Sequence, residues 1–320
     1  MARLAVQHQE AKLSHFFPSE NQSFGKRQIG LSFGWVFALI YKTHTPNLFR
    51  KMITRELAKI SFRNNVKVTG NGTRTLLFGH GFGCDQHTWR DVAPAFEKDF
   101  KVVLFDYVGA GGSDLSAYDP KRYGSLEGYA SDLIEICSEL QLENVIFIGH
   151  SVSSMIGLLA IKEKPGIFEQ IIFIGPSPRY INEPGYPGGI DKTDLEGLLD
   201  VMDSNYQGWS KFLAPKIMGN PERPELADSL ADSFCATDPA IARRFARVTF
   251  LSDNRADLAY LNIPSLTIQC QDDFLTSQSV AEYIKSQTEG NTLIMLSTSG
   301  HCPHLSDPEG VINAISDFLS

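Results

Sequence analysis

Residues 144–157 read Asn-Val-Ile-Phe-Ile-Gly-His-Ser-Val-Ser-Ser-Met-Ile-Gly, and this stretch decides the fold. An apolar run is followed by a sharp Gly-His-Ser turn and then by a helical segment. A serine at such a strand-to-helix turn is pushed out at the edge of a sheet, where its hydroxyl is accessible. The stretch therefore predicts a nucleophile elbow with Ser151 at its apex. The fifth position of the pattern is Ser153, where glycine is usual.

Short apolar runs recur along the chain beyond residue 64, separated by turns and helical segments. Such runs are typical of parallel strands that are buried on both faces. The predicted strands are Thr75–Gly79, Val102–Asp106, Val145–Gly149, Ile171–Gly175, Leu266–Cys270 and Leu293–Leu296. A helix with one apolar stripe, between Leu126 and Leu140, separates the second strand from the third. This alternation predicts the fold class α/β, with a mostly parallel sheet flanked by helices on both faces.

One segment, at about residues 178–250, interrupts the alternation of strands and helices. A stretch rich in proline and glycine, residues 176–189, opens it, and helix-like sequence without a strand pattern follows. Thr193 and Glu196 have the spacing of a capping box, and Asp238-Pro239 has the residue types of an N-cap and a first-turn proline. The segment predicts a helical insertion that forms a lid over the carboxyl edge of the sheet.

A serine hydroxyl becomes a good nucleophile when a histidine takes its proton, and a carboxylate must hold that histidine in the right tautomer. Ser151, Asp273 and His301 occur in the chain order serine, acid, histidine, and the acid and the histidine each follow a predicted strand. Asp272 is the alternative acid, but the second carboxylate after the strand is better placed to face a histidine. His304 is the alternative base, although a helix-cap or core-edge position suits it better.

The negative charge that forms during attack needs hydrogen-bond donors already aimed at it. The loop Gly79–Gly83 follows the first predicted parallel strand and indicates the backbone N–H of Phe82 as one donor, with the N–H of Val152 as the other. A glycine-rich turn with an exposed phenylalanine is the simpler alternative for this loop. The predicted substrate pocket is small and apolar. Its candidate residues are Phe82, Tyr206, Trp209, Phe212, Phe245 and Phe250.

Composition narrows the choice of partners and cofactors. The net charge of the 320 residues is −8, with +6 on residues 1–60 and −14 on residues 61–320, so nucleic acid is not expected as the main partner. The five cysteines are scattered without a CxxC pair, which predicts a cytoplasmic location and neither a disulfide framework nor a zinc site. The loop Gly79–Gly83 lacks the glycine spacing of a dinucleotide site. We therefore expect no cofactor and no metal.

Residues 1–58 form a predicted N-terminal extension, poorly ordered, ahead of a domain at residues 59–320. The apolar run Ile29–Tyr41 in this extension has 13 residues, which is shorter than the roughly 20 that a membrane-spanning helix needs. A loosely ordered tail is the leading interpretation, and Met52 would then be the natural start of the protein. A segment that contacts a membrane surface or a partner is one alternative, and an export signal is another.

Seven groups of residues form motifs that recur together in one family. They are Gly81-Phe-Gly-Cys-Asp-Gln86, Val92-Ala-Pro-Ala-Phe96, Leu104-Phe-Asp-Tyr-Val-Gly109, Gly149-His-Ser-Val152, Gly175-Pro-Ser-Pro178, Phe234-Cys235 with Thr237-Asp-Pro239, and Gly300-His-Cys-Pro-His304. From about Arg63 to Leu319, the chain resembles the sigma factor regulators of the RsbQ type, α/β-hydrolases related to the plant karrikin and strigolactone receptors. Ser153 departs from the glycine of the RsbQ type and is similar to the plant receptors.

The resemblance implies an α/β-hydrolase fold with a four-helix lid, Ser151, Asp273 and His301 as catalytic residues, and Phe82 and Val152 as oxyanion donors. It also implies a small hydrophobic ligand, such as an ester or a lactone, slow turnover, and a role in stress-response signalling. The implied partner is a PAS-domain-containing phosphatase of the PP2C type that feeds a sigma factor. A metabolic carboxylesterase without a protein partner and a non-catalytic ligand-binding module are the alternatives.

Overall fold

The structure is a computed structural model, and it describes residues 59–320. The predictions made for residues 1–58, including the apolar run Ile29–Tyr41 and the start at Met52, lie outside the described residues. Within residues 59–320, no helix is both long enough and apolar enough to cross a membrane.

Seven strands in the described part of the chain form one sheet. The strands are β1 (Lys67–Thr69), β2 (Thr75–Gly79), β3 (Lys101–Leu104), β4 (Val145–His150), β5 (Gln170–Ile174), β6 (Ser265–Asp272) and β7 (Asn291–Ser299). Their order is β1-β3-β2-β4-β5-β6-β7; β1 runs antiparallel to β3, and the other neighbouring strands are parallel. Every residue of β2 and β4 is buried, because helices cover both faces of a parallel sheet.

Helices pack on both faces of this sheet. The α-helices are α1 (Leu126–Glu139), α2 (Val152–Glu163), α3 (Lys192–Ser204), α4 (Tyr206–Met218), α5 (Pro224–Ala236), α6 (Pro239–Phe250), α7 (Gln278–Gln287), α8 (Pro303–Ser306) and α9 (Pro308–Leu319). Apolar residues of α1, α2 and α7 share one core with Leu77 and Phe147 of the sheet. Those of α9 share a second core with Leu76 and Ile146, the neighbouring residues that point to the opposite face. The predicted α/β sheet with helices on both faces is confirmed.

All six predicted strands occur, with ends that differ from the prediction by up to three residues. The sequence did not indicate β1, the antiparallel strand at the edge of the sheet. Its three residues, Lys67 to Thr69, are all exposed. A strand with no buried face leaves neither an apolar run nor an alternating pattern in the sequence.

The helices α3, α4, α5 and α6 lie between β5 and β6, inside the segment for which the sequence predicts a helical insertion. Most of their buried apolar side chains join neighbouring residues in a separate cluster, while Phe245 of α6 packs in the first core. Asp238 caps α6 as predicted, because its carboxylate accepts hydrogen bonds from two backbone N–H groups of the first turn. The capping-box prediction at Thr193 is wrong, since α3 begins at Lys192 with Asp191 at its N-cap.

Candidate active site

Ser151 stands at a sharp turn between β4 and α2, in the middle of the sheet. Its backbone has φ 55° and ψ −121°, a strained conformation that residues with a side chain rarely adopt. A hydrogen bond of 2.8 Å from the Ser151 N–H to the Ile174 carbonyl at the end of β5 holds the turn. At Gly149 a Cβ atom would lie 2.7 Å from the Ser153 carbonyl carbon, so only glycine permits this approach of strand and helix. The backbone at Ser151 therefore has the geometry of the predicted elbow.

His301 lies between Ser151 and Asp273. Its Nε2 is 2.7 Å from Ser151 Oγ, and its Nδ1 is 2.8 Å from Asp273 Oδ2. Because an ionised carboxylate only accepts hydrogen bonds, Nδ1 carries the proton, and Nε2 is left to accept from the serine hydroxyl. The side chains of His301 and Asp273 are 3% and 1% exposed. The structure thus brings together the three residues that the sequence proposes, in an arrangement that can activate a serine hydroxyl.

The carboxyl ends of parallel strands position this group. Ser151 follows β4, Asp273 follows β6, and His301 follows β7 by two residues. Two further hydrogen bonds hold the His301 backbone: its N–H donates to the Ile217 carbonyl of α4 at 2.7 Å, and its carbonyl accepts from His150 Nε2 at 2.9 Å. The insertion therefore helps to hold the imidazole in place.

Asp273 is held as a carboxylate. Burial favours its neutral form, but the neighbouring His301 and several hydrogen bonds outweigh burial, and the pKa of Asp273 lies below its usual value. The Thr276 hydroxyl donates to Oδ2 at 2.7 Å, and the Leu275 N–H donates to Oδ1 at 2.8 Å. An ionised Asp273 at neutral pH can stabilise an imidazolium on His301.

The alternative acid and the alternative base make other contacts. Asp272 is exposed, and the Ser299 hydroxyl lies 3.5 Å from its carboxylate. His304 is fully buried, with Nε2 2.7 Å from the Thr88 hydroxyl and its ring centroid 4.7 Å from that of Trp89. His304 therefore occupies a place in the core, next to the site.

The two predicted oxyanion donors come from different elements. Val152 is the first residue of α2, and the first N–H groups of a helix have no partner within that helix. Phe82 lies in the loop after β2 and lines the same pocket as Ser151. That these two N–H groups bind an oxyanion stays a prediction.

Ser151 and His301 line a narrow apolar pocket. Its cavity volume is about 20 Å³. Three helices of the insertion supply half of the lining residues, namely Trp209, Leu213, Ile217, Leu230, Phe234, Thr249 and Phe250. Such a lining suits a small apolar molecule with its reactive group at the serine.

Three of the six residues predicted for this pocket line it: Phe82, Trp209 and Phe250. Phe245 lies beyond Phe82, with ring centroids 5.7 Å apart, and lines an adjacent, smaller cavity. Tyr206 does not line the pocket; its ring stacks on Trp209 at 5.9 Å, and its hydroxyl donates to a backbone carbonyl of α5. Tyr206 thus supports the pocket wall from behind.

The prediction that Phe212 lines the pocket is wrong. Its side chain is 57% exposed, and the Lys216 ammonium lies 5.0 Å from the ring centroid. The buried face of α4 carries Trp209, Leu213 and Ile217, which repeat at helical spacing. Phe212 lies off this stripe, and the helical period therefore places it toward solvent.

Tyr180 is a residue of the site that the sequence did not indicate. Its hydroxyl lies 3.5 Å from Ser151 Oγ, and the side chain is buried. Burial raises the pKa of Tyr180 to about 12, so the hydroxyl keeps its proton at neutral pH. The sequence could have indicated this residue, because Tyr180 follows β5. The strand β5 lies next to β4, so the chain that leaves β5 passes beside the serine.

We expect the protein to lose stability on mild acidification, because three buried histidines must stay neutral. Burial lowers the pKa of His80, lowers that of His150 to about 3, and lowers that of His304 well below its usual value. Below pH 6.5 the unfolded chain binds protons at these residues and the folded chain does not. Their contribution is complete above pH 6.5 and is lost as the pH falls. Urea unfolding should give a lower free energy at pH 5.5 than at pH 7.5, by about 1.4 kcal/mol for each ring that stays neutral at pH 5.5.

Two variants control this expectation. His304→Gln should reduce the pH dependence of the free energy of unfolding, because the unfolded chain no longer takes up a proton at this position. His87→Gln changes an exposed histidine and should leave the pH dependence as in the wild type. Equal free energies of unfolding at pH 7.5 and pH 5.5 would contradict the burial of three neutral rings.

Comparisons with known proteins agree with this fold. A model described as the alpha/beta hydrolase family matches residues 76–314. Karrikin insensitive 2 receptor IA of Petunia hybrida is 38% identical over 256 residues, which cover 80% of this chain and 93% of that protein. Strigolactone esterase D14 of Arabidopsis thaliana is 37% identical over 245 residues, which cover 76% of this chain and 91% of that protein.

A solved structure adds to this likeness. A hydrolase from Oleispira antarctica superposes with a TM-score of 0.80 at 43% sequence identity, covering 82% of this chain and 97% of that one. The family model spans most of the described residues, and the relatives are matched over nearly their whole length. The chain therefore belongs to the alpha/beta hydrolase family.

Proposed function

We propose that the protein is a serine hydrolase that cleaves a small apolar ester or lactone. One observation carries the proposal: Ser151 Oγ, the His301 imidazole and the Asp273 carboxylate form an unbroken line of hydrogen bonds of 2.7 and 2.8 Å. The strained backbone of Ser151 supports it, because strain of this kind is kept where a side chain must be presented for chemistry.

The reaction follows from this line of hydrogen bonds. His301 Nε2 takes the proton of Ser151 as Oγ attacks the carbonyl carbon, and Asp273 stabilises the imidazolium that forms. The oxyanion accepts hydrogen bonds from the backbone N–H groups of Phe82 and Val152. His301 then gives the proton to the leaving alcohol, and water attacks the acyl-serine in a second round of the same steps.

The substrate class follows from the pocket and from the relatives. The wall around Ser151 is aromatic and aliphatic, so an apolar acyl or ring system is favoured over a charged one. Relatives at 37% and 38% identity bear the names strigolactone esterase and karrikin insensitive receptor. We therefore propose that this chain binds a small apolar ligand with an ester or a lactone carbonyl near the serine.

We also propose a signalling role for the hydrolase. In this role it resembles the RsbQ type and activates a PAS-domain-containing phosphatase of the PP2C type, a step in a stress response. The relatives named as receptors support a sensor over a purely metabolic enzyme. The cysteines are free thiols, in keeping with a cytoplasmic setting for such a partner.

Labelling and turnover test the hydrolase. A fluorophosphonate probe should label the wild type at Ser151 and should not label Ser151→Ala, as located by mass spectrometry of the digested protein. A panel of coumarin esters and butenolide lactones should then give slow turnover with a preference for small apolar groups. Turnover near the typical 10 per second on short acyl esters would instead favour a metabolic carboxylesterase.

A binding experiment tests the signalling role separately. Purified PAS-domain-containing PP2C-type phosphatases are titrated with the wild type and with Ser151→Ala, each with and without a hydrolysable lactone. We expect binding that depends on the lactone and phosphatase activity that rises with it. Active hydrolase that binds none of these phosphatases in any of the four conditions would remove the signalling role and leave the enzyme.

A further inference from the structure

Ser153 replaces the usual glycine of the elbow pattern, and its hydroxyl is fully buried. Ser153 Oγ lies 2.5 Å from the His80 carbonyl oxygen and 2.9 Å from the Tyr107 hydroxyl. A carbonyl oxygen can only accept, so the proton of Ser153 is used for His80. Tyr107 must therefore donate to Ser153. The two hydroxyls form a chain with one direction, from Tyr107 through Ser153 to His80.

This series of hydrogen bonds ends at His80, which is the first residue of the loop that carries the Phe82 N–H. The His80 side chain fixes the next peptide group of the loop. His80 Nε2 accepts from the Tyr107 N–H at 3.1 Å, so Nδ1 carries the proton and donates to the Gly81 carbonyl at 2.9 Å. The Gly81 carbonyl and the Phe82 N–H belong to one peptide group, which is planar. Holding that carbonyl therefore sets the direction of the Phe82 N–H.

Three elements meet closely at this point. A Cβ atom at Gly79, the last residue of β2, would lie 3.0 Å from both the Ser153 and the Tyr107 hydroxyl oxygens. The side chains of Ser153 and Tyr107 are both buried, so neither hydroxyl can exchange its partner for bulk water. Glycine at position 153 would leave the Tyr107 hydroxyl and the His80 carbonyl without this partner, which is unfavourable in a buried place.

We propose that Ser153 and Tyr107 are positioning residues for the oxyanion hole. Through the His80 carbonyl they hold the loop after β2 at a fixed distance from α2, so that the Phe82 N–H and the Val152 N–H face one point. Neither side chain lines the pocket that contains Ser151. This role rests on the proposed hydrolase function, and it gives the serine at position 153 a purpose that the elbow pattern alone does not supply.

The test separates transition-state binding from pocket binding. Ser153→Ala and Tyr107→Phe remove one hydroxyl each, and hydrolysis of a coumarin ester is followed at steady state. A trifluoromethyl ketone, to which Ser151 adds to form an oxyanion, reports the hole, and the alcohol made by reducing that ketone reports the pocket alone. We expect kcat to fall about tenfold and the ketone to bind about tenfold more weakly, a smaller loss than the hundredfold or more for removing a donor itself. KM and the alcohol affinity should stay within twofold.

Coupling and a matched control sharpen the test. The double variant should lose no more than about the larger single loss, because the two hydroxyls act in one chain. Ser154→Ala removes the neighbouring buried hydroxyl, which donates to the Gly149 carbonyl at 2.9 Å, and should change kcat less than twofold. Should Ser153→Ala fail to fold, Tyr107→Phe carries the same comparison.

The outcomes are distinguishable. Variants that keep wild-type kcat and ketone affinity overturn the positioning role, and so do variants that weaken the ketone and the alcohol equally. In both cases the wild type still hydrolyses the ester, and the proposed function stands. A wild type that neither turns over nor reacts with the fluorophosphonate overturns the proposed function and the positioning role together.

Discussion

Replacing Ser151 with alanine should reduce ester hydrolysis by a factor on the order of 10⁶, the loss that follows removal of the nucleophile in a serine protease. The Ser151 hydroxyl is the oxygen nearest to the free lone pair of His301, at 2.7 Å, and alanine leaves no group there to attack a carbonyl. Steady-state hydrolysis of a coumarin ester, corrected for the uncatalysed rate, gives the ratio of kcat values.

Binding measurements separate this chemical loss from unfolding. Alanine keeps the shape of the pocket except for one oxygen atom, so Ser151→Ala should bind the trifluoromethyl alcohol as the wild type does, measured by isothermal titration calorimetry. Ser229→Ala, the same substitution at an exposed position of α5, should leave hydrolysis unchanged. Residual turnover above about 1% in Ser151→Ala, with the wild-type level in Ser229→Ala, would show that another group performs the attack.

Local sequence patterns were enough to predict most of the fold and the catalytic candidates Ser151, Asp273 and His301. β4 is buried on both faces, so its apolar run stands out, and the turn after it needs glycine at position 149. The acid directly follows β6, and the histidine follows β7 by two residues. Since parallel strands end at one edge of a sheet, the sequence predicts that all three residues lie at the same edge.

The residues that line the pocket were harder to predict from local sequence patterns. An inventory of aromatic residues does not say which face of a helix each occupies, and Phe212 was assigned to the pocket although the period of α4 turns it to solvent. Tyr180 reaches Ser151 from a stretch without helix or strand bounds, where no period exists to place a side chain. The edge strand β1 is exposed along its whole length and left no apolar signal.

Replacing Asp273 with asparagine should reduce kcat by about 10⁴, the loss seen in a serine protease when the acid becomes an amide. The physical reason is the tautomer of His301. The Asp273 carboxylate accepts from Nδ1 at 2.8 Å and so leaves the Nε2 lone pair facing Ser151. An asparagine Nδ2 in this position donates instead, which favours the tautomer with the proton on Nε2. That tautomer cannot take the serine proton.

The neighbouring carboxylate supplies the matched control. Asp272→Asn makes the same chemical change one residue earlier, at an exposed side chain, and should alter kcat less than twofold. The rate of fluorophosphonate labelling should follow kcat in both variants, because attack on phosphorus also needs His301 to take the Ser151 proton. An equal loss in Asp272→Asn would reverse the assignment of the acid. A full rate in Asp273→Asn would mean that His301 keeps its working tautomer without a carboxylate, held by its backbone contacts with α4 and His150 alone.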